Sequence, residues 1–215
     1  MTTTRLLSGL AVLGLASGVL AMEPAGQQAR RDQLQKTFRD GNFNDAYVGL
    51  RKLALDPDDD PRKVGEDLQM ATQCLQRLNR VNEMDEFREA VIEVHGENWR
   101  LLWAAARNTM NVNHQGFMVA GKFERGPHRG GGQVVNATER DRVRALQLMA
   151  QAWPLAKQDD DHPAVANFLL ELAGMLLNNR SYNEAWRLQS LTDLDTLPDY
   201  EPGWGYYGGT SGAPV

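Results

Sequence analysis

Val64, Leu68, Ala71, Leu75 and Leu78 are spaced four, three, four and three residues apart. That spacing puts all five on one face of an α-helix, and a strand would scatter them over both of its faces. The pattern recurs along most of the chain. It runs through Leu34 and Phe38, then Phe43, Ala46, Tyr47, Leu50 and Leu53, then Met84, Phe87, Val91 and Val94. Trp99, Leu102, Trp103, Ala106 and Met110 mark a fifth helix. Val143, Leu146, Ala150 and Trp153 mark a sixth, and Val165, Phe168, Leu169, Leu172, Met175 and Leu176 a seventh. Tyr182, Ala185, Trp186 and Leu188 mark a last one. The stops between them are chemical: Gly41-Asn42, the Asp56 to Pro61 run with its two prolines, the polar stretch 79–83, and Gly96. Residues 23–30 read as a polar lead-in. Thr138 reads as the N-cap of the sixth helix, and Pro154 as the place where that helix ends or kinks. Pro163 suits a first helical turn. Leu170 and Leu177 widen the apolar face of the seventh helix, so cover on two sides is expected.

Three of the turns share a grammar. Gly41-Asn42-Phe43-Asn44-Asp45-Ala46, Asn82-Glu83-Met84-Asp85-Glu86-Phe87 and Arg180-Ser181-Tyr182-Asn183-Glu184-Ala185 each place a large apolar residue after a polar turn and a second core residue three positions on. Tetratricopeptide hairpins are built this way, although the spacing here is not a steady 34 residues. The expected fold is all-α, with tetratricopeptide-like helical hairpins arranged as an α-solenoid or an irregular bundle, and one β-hairpin-like glycine-rich insertion.

That insertion, GFMVAGKFERGPHRGGGQVVN over residues 116–136, is the one long break in the helical pattern. Phe117, Val119, Gly121 and Phe123 alternate with Met118, Ala120, Lys122 and Glu124, which is strand periodicity. Gln133, Val134 and Val135 can pair back across the loop 125–132 to close a hairpin. The organisation expected is a signal peptide over 1–21, a helical block over 22–113, the insertion over 114–137, a second helical block over 138–195, and a Gly/Pro/aromatic tail or linker over 196–215. The glycines with Lys122, Arg125, His128 and Arg129 form a candidate contact for an anion or a partner. The segment lacks the Gly-Lys-Ser/Thr ending of a P-loop. In the tail, Trp204, Tyr206 and Tyr207 are candidates for stacking on a sugar, a peptide or a neighbouring domain.

The N-terminus carries Arg5, then a run from Leu6 to Leu20 without charge, then Val19-Leu20-Ala21. This is the layout of a cleaved signal peptide, so a periplasmic or secreted location is expected, with no membrane attachment after cleavage. The remaining 194 residues (215 − 21) are enough for a real core. The whole chain carries a formal charge of −5, and cleavage removes one more positive charge. That balance argues against nucleic-acid binding. Cys74 is the single cysteine, so no intramolecular disulfide forms and packing must supply stability. No two of His95, His114, His128 and His162 share the i, i+4 spacing of a helical metal pair. The acidic runs lack the EF-hand spacing, and no nucleophile elbow occurs. No cofactor, no metal and no enzymatic activity are expected.

Three stretches carry a family likeness: Gly116-Phe117-Met118-Val119-Ala120-Gly121-Lys122-Phe123-Glu124-Arg125-Gly126, the Arg129-Gly130-Gly131-Gly132 turn, and Glu139-Arg140-Asp141-Arg142-Val143-Arg144-Ala145-Leu146-Gln147-Leu148-Met149. Together with Gly203-Trp204-Gly205-Tyr206-Tyr207-Gly208-Gly209, this chain resembles the helical N-terminal region of very large exported bacterial alpha-2-macroglobulin-like proteins. The resemblance implies a non-enzymatic protein-interaction module, the helical head of a protease trap or inhibitor, contacting protein partners or the C-terminal domains of a longer parent chain. Cys74-Leu75-Gln76-Arg77 does not match the family's thioester motif, so no functional residue carries over. The alternative expectation is an envelope module that binds a glycan or anionic metabolite through the basic glycine-rich loop and the tail aromatics.

Overall fold

A computed structural model describes residues 24–177 and 193–203 of the chain. Seven α-helices and a four-stranded antiparallel sheet make up the fold there: α1 (Pro24–Arg39), α2 (Phe43–Ala54), α3 (Val64–Arg77), α4 (Met84–Val94), α5 (Trp99–Met110), β1 (Gln115–Val119), β2 (Lys122–Arg125), β3 (Gln133–Asn136), α6 (Thr138–Ala156), α7 (His162–Leu177) and β4 (Glu201–Pro202). Most of the periodic positions become the core, but Val94, Ala150, Trp153, Leu169 and Leu176 are exposed, and in α6 Met149 and Ala152 are buried in place of Ala150 and Trp153. Leu34, Leu50, Leu53, Leu68, Leu75, Met84, Val91, Leu102, Leu146, Met149 and Phe168 are all buried in one cluster. The segments before and after the glycine-rich insertion therefore share a single interior.

Aromatic residues fix how neighbouring helices meet. Phe38 at the end of α1 stands edge-on to Phe43 at the start of α2, with ring centroids 5.2 Å apart. Tyr47 of α2 meets Phe87 of α4 in the same way at 5.7 Å. Phe168 of α7 sits among Trp99 and Trp103 of α5, at 5.8 and 6.0 Å. Local capping sets the start of α5. Asn98 Oδ1 accepts from the main-chain N–H of Arg100 at 3.0 Å and Leu101 at 3.3 Å, satisfying two amides that the first turn leaves open. Its Nδ2 donates to the Pro61 carbonyl, tying the proline-rich loop to the same point.

The sheet has the order β2-β1-β3-β4. The alternating run 117–124 is not one strand. It folds back on itself, with Val119 opposite Lys122, so Ala120 and Gly121 alone form the loop. Both have positive φ, +49° and +82°, the backbone of a two-residue type I′ turn, which glycine adopts freely. The strand over Gln133–Asn136 then pairs with β1, placing Gly116 opposite Val135 and Met118 opposite Gln133. The expected hairpin is thus a three-stranded antiparallel sheet with β1 at its centre, the chain passing from β2 across to the other side of β1. The described part of the tail adds β4 to the far side of β3.

Four further expectations change. Residues 24–30 are helical, as the opening turns of α1 rather than a lead-in. Thr138 is the first residue of α6, and the side chain of Asn136 accepts its N–H instead. α6 does not end at Pro154 but continues two residues further to Ala156, with the main-chain bond from residue 154 missing in its last turn. α7 buries Phe168 and Met175, while Leu170 and Leu177 are 71% and 56% exposed, so among the described residues one face is covered rather than two. The helix expected around Tyr182 to Leu188, the third turn of the shared grammar and the signal segment lie outside the described residues.

Candidate functional site

Three cavities flank α3 among the described residues. Gln69, Gln73 and Gln76 lie at i, i+4 and i+7, so three amide side chains line up along the helix. On one side, between α3 and α5, a cavity of about 250 Å³ is bounded by Gln69, Gln73, Gln76, Arg107, Asn108 and Asn111. On the other side, between α1 and α3, a second cavity of about 250 Å³ is bounded by Gln28, Gln35, Lys63 and Gln73 among others. A third, of about 150 Å³, extends the first toward Arg62, Arg100 and Trp103. Gln69 borders all three. The helices can approach closely because residue 65 has no side chain: a Cβ on Gly65 would lie 2.8 Å from the Cβ of Ala104.

The groove's side chains are held from behind. Asn108 donates to Thr72 Oγ1 at 2.9 Å, and Thr72 donates to the Leu68 carbonyl at 3.0 Å. Trp103 donates its indole N–H to Glu171 at 2.6 Å, and the Arg107 guanidinium lies over the Trp103 ring at 4.7 Å. Arg100 pairs with Asp159 and Asp161. Its bond to Asp159, with the Asp161 amide and the Trp99 indole, holds the Asp159 carboxyl well below the usual carboxylate range. Where α1 meets α3, buried Arg31 bridges Asp59 and Asp67, the latter at 2.8 Å. Two carboxylates face one guanidinium there, leaving one negative charge in excess in a buried place. Burial outweighs Arg31, Asp59 adds repulsion, and the Asp67 carboxyl is pushed up to about 7.

The four basic residues of the glycine-rich insertion are not brought together. Arg125 faces inward and is 3% exposed. Its Nε donates to Asp85 at 2.9 Å, its two terminal nitrogens to Asp141 at 2.9 and 3.0 Å, and one of them also to the Asn113 carbonyl at 2.6 Å. His114 meets the same Asp141 carboxylate at 2.6 Å, and Arg88 pairs with Asp85 at 2.6 Å. Burial opposes the charge on Asp141, but the bonds from His114 and Arg125 outweigh it and hold this carboxyl below its ordinary range. Arg125 is therefore the clasp that fastens the sheet to α4 and α6. His128 is half-buried, pairs with Glu124 at 2.7 Å and tilts against Phe117. Lys122 and Arg129 are exposed. Trp204, Tyr206 and Tyr207 lie outside the described residues.

Periodicity did not mark the groove, because polar residues at helical spacing read as solvated faces until the partner helix is known. The signal available was the repetition of glutamine along α3. Cys74 is buried, and burial pushes its thiol up to about 11, which makes it an inert core residue. Among the described residues, no group of three or more His, Cys, Asp or Glu is placed to hold a metal ion, and no helix is long and apolar enough to cross a membrane. Comparison with protein-family models, with curated proteins and with solved structures finds no match to this chain.

Proposed function

We propose that the chain is a non-enzymatic protein-interaction module that receives an extended polypeptide segment along α3. The observation that carries this reading is that three cavities lie side by side along α3 and share Gln69 in their walls. An extended peptide offers an N–H and a C=O at every residue, and a primary amide side chain answers with both an acceptor and donors. Gln69, Gln73, Gln76, Asn108 and Asn111 repeat that chemistry along the groove, while Arg107 over Trp103 adds a flat surface for a side chain. In this reading the helices are tetratricopeptide-like hairpins, with α1, α3 and α5 on the ligand side and α2 and α4 behind.

Two expectations from sequence join this reading: export through the N-terminal signal, and a place as the helical head of an alpha-2-macroglobulin-like protease trap or inhibitor. The coding DNA beyond codon 215 tests that parentage. In-frame continuation into β-rich sequence is expected, and an authentic stop there counts against it. The groove is tested with random dodecapeptides displayed on phage and measured afterwards by fluorescence polarisation. Selected peptides are expected to lose about tenfold or more in affinity against Gln69→Ala/Gln73→Ala, the loss of two hydrogen-bonding side chains. Unchanged binding by that double variant removes the groove from the account.

A further inference from the structure

The chain's own tail lies against the outer strand of the three-stranded unit. Residues 194–203 form a strap across α6 and β3. Gln147 donates to the Leu194 carbonyl at 2.7 Å, and Arg140 donates to the Pro198 carbonyl at 2.7 Å. Glu201 and Pro202 stand opposite Asn136 and Val135, and the Gly203 amide donates to the Val134 carbonyl at 2.9 Å. Tyr200 is the side-chain anchor. Its ring stacks on Phe123 with centroids 4.6 Å apart and planes 21° from parallel, and Arg140 lies over its other face at 4.7 Å. Arg125, locked by its carboxylates, lies over Phe123 at 5.2 Å and so backs the stack.

We propose that the outer edge of β3, with Phe123 and Arg140, is an exchangeable strand-acceptor site, filled in cis by residues 198–203 and in trans by the same residues of a second copy of this chain. Main-chain bonds to a sheet edge combined with one aromatic slot are the means by which domains bind added strands. The ladder here is only two residue pairs long, so residues 198–203 are held locally, whereas Leu194 packs against the core. Residues 178–192 connect the strap to α7. With the expected helix over Tyr182 to Leu188 left intact, the other eight residues alone can span about 27 Å, beyond the ~15 Å radius of gyration of a domain this size, so the tail can serve a neighbour. Pro202 has no N–H to offer a further strand, which favours a closed reciprocal pair over a growing sheet. The tethered tail wins at low concentration because its effective concentration is high.

The test uses two full-length variants. Tyr200→Ala keeps the acceptor and spoils the tail, whereas Arg140→Ala keeps the tail and spoils the acceptor. Each alone is expected to remain monomeric by native mass spectrometry, and an equimolar mixture is expected to give a one-to-one heterodimer. A labelled peptide of residues 194–203 is expected to bind the Tyr200→Ala chain about tenfold or more tighter than the wild-type chain, whose own tail competes. Tyr200→Leu, which keeps bulk but not the ring stack, replaces the alanine variant if thermal melts show the latter unfolded. A mixture that stays monomeric overturns the exchange. A peptide that binds neither chain, or both equally, overturns the acceptor site.

Discussion

Arg125→Met removes a buried guanidinium while keeping most of its volume. The substitution leaves Asp141, 6% exposed, with only His114 beside it, leaves Asp85 to Arg88 alone, and leaves the Asn113 carbonyl without its donor. Breaking a buried ion pair from one side costs about 3–5 kcal/mol, because a charge stays behind in a poor dielectric. For a chain of this size that is a fall of roughly 6–20 °C in Tm, at ~2–4 °C per kcal/mol. Arg129→Ala, four residues along and exposed, is expected to change stability by less than about 0.5 kcal/mol. Urea unfolding followed by circular dichroism measures both. Adding Asp141→Asn to Arg125→Met is expected to recover part of the loss, since the stranded charge is then gone. If Arg125→Met loses less than about 1 kcal/mol, the inward clasp does not hold the sheet, and an outward ligand role for Arg125 regains its standing.

The Asp67 carboxyl sits at about 7 when folded and near 4 when unfolded, so the folded chain holds an extra proton between those values. Its contribution to stability is full below about pH 4 and is lost as pH rises through about 7. The slope reaches ~1.4 kcal/mol per pH unit. The wild-type urea midpoint is expected to fall between pH 5 and pH 7.5 relative to Asp67→Asn, and equal pH dependence in the two chains would dismiss this proton. Ala120 adopts a left-handed backbone at φ +49° beside Gly121. Ala120→Asn is expected to recover part of the ~1–2 kcal/mol that this conformation costs an ordinary residue, raising the melting temperature; a lower one would argue against the type I′ turn. Gly65→Leu would drive a side chain into Ala104 and is expected to weaken both stability and peptide binding, whereas a neutral result would mean that α3 and α5 are not in close approach.

The helices were legible because core positions repeat at three and four, and Leu68, Leu75, Val91 and Leu102 are buried as that spacing requires. The sheet was only half legible. Alternation through residues 117–124 signals strand, but Ala120-Gly121 is a weak turn signal beside Asn-Gly, so the fold-back was hidden. The partner of Gln133–Asn136 depends on tertiary placement, and so does the arrival of Glu201–Pro202 from the tail. Charge was the least legible property. Arg125 and Arg129 look alike in a basic, glycine-rich loop, yet Asp85 and Asp141, from two different helices, pull one of them into the interior. The groove was illegible for a related reason: Gln69 and Gln73 acquire meaning only when α1 and α5 are set beside α3.

The central claim is that a polypeptide lies along α3. Photo-crosslinking tests it most directly, with benzoylphenylalanine placed singly at Gln73, at Asn111, and at the exposed outer positions Arg51 and Glu86, against the peptides selected by display. The account predicts adducts at Gln73 and Asn111 that a fivefold excess of unlabelled peptide suppresses, and none above background at Arg51 or Glu86. Adducts at the outer positions with none at Gln73 would contradict it.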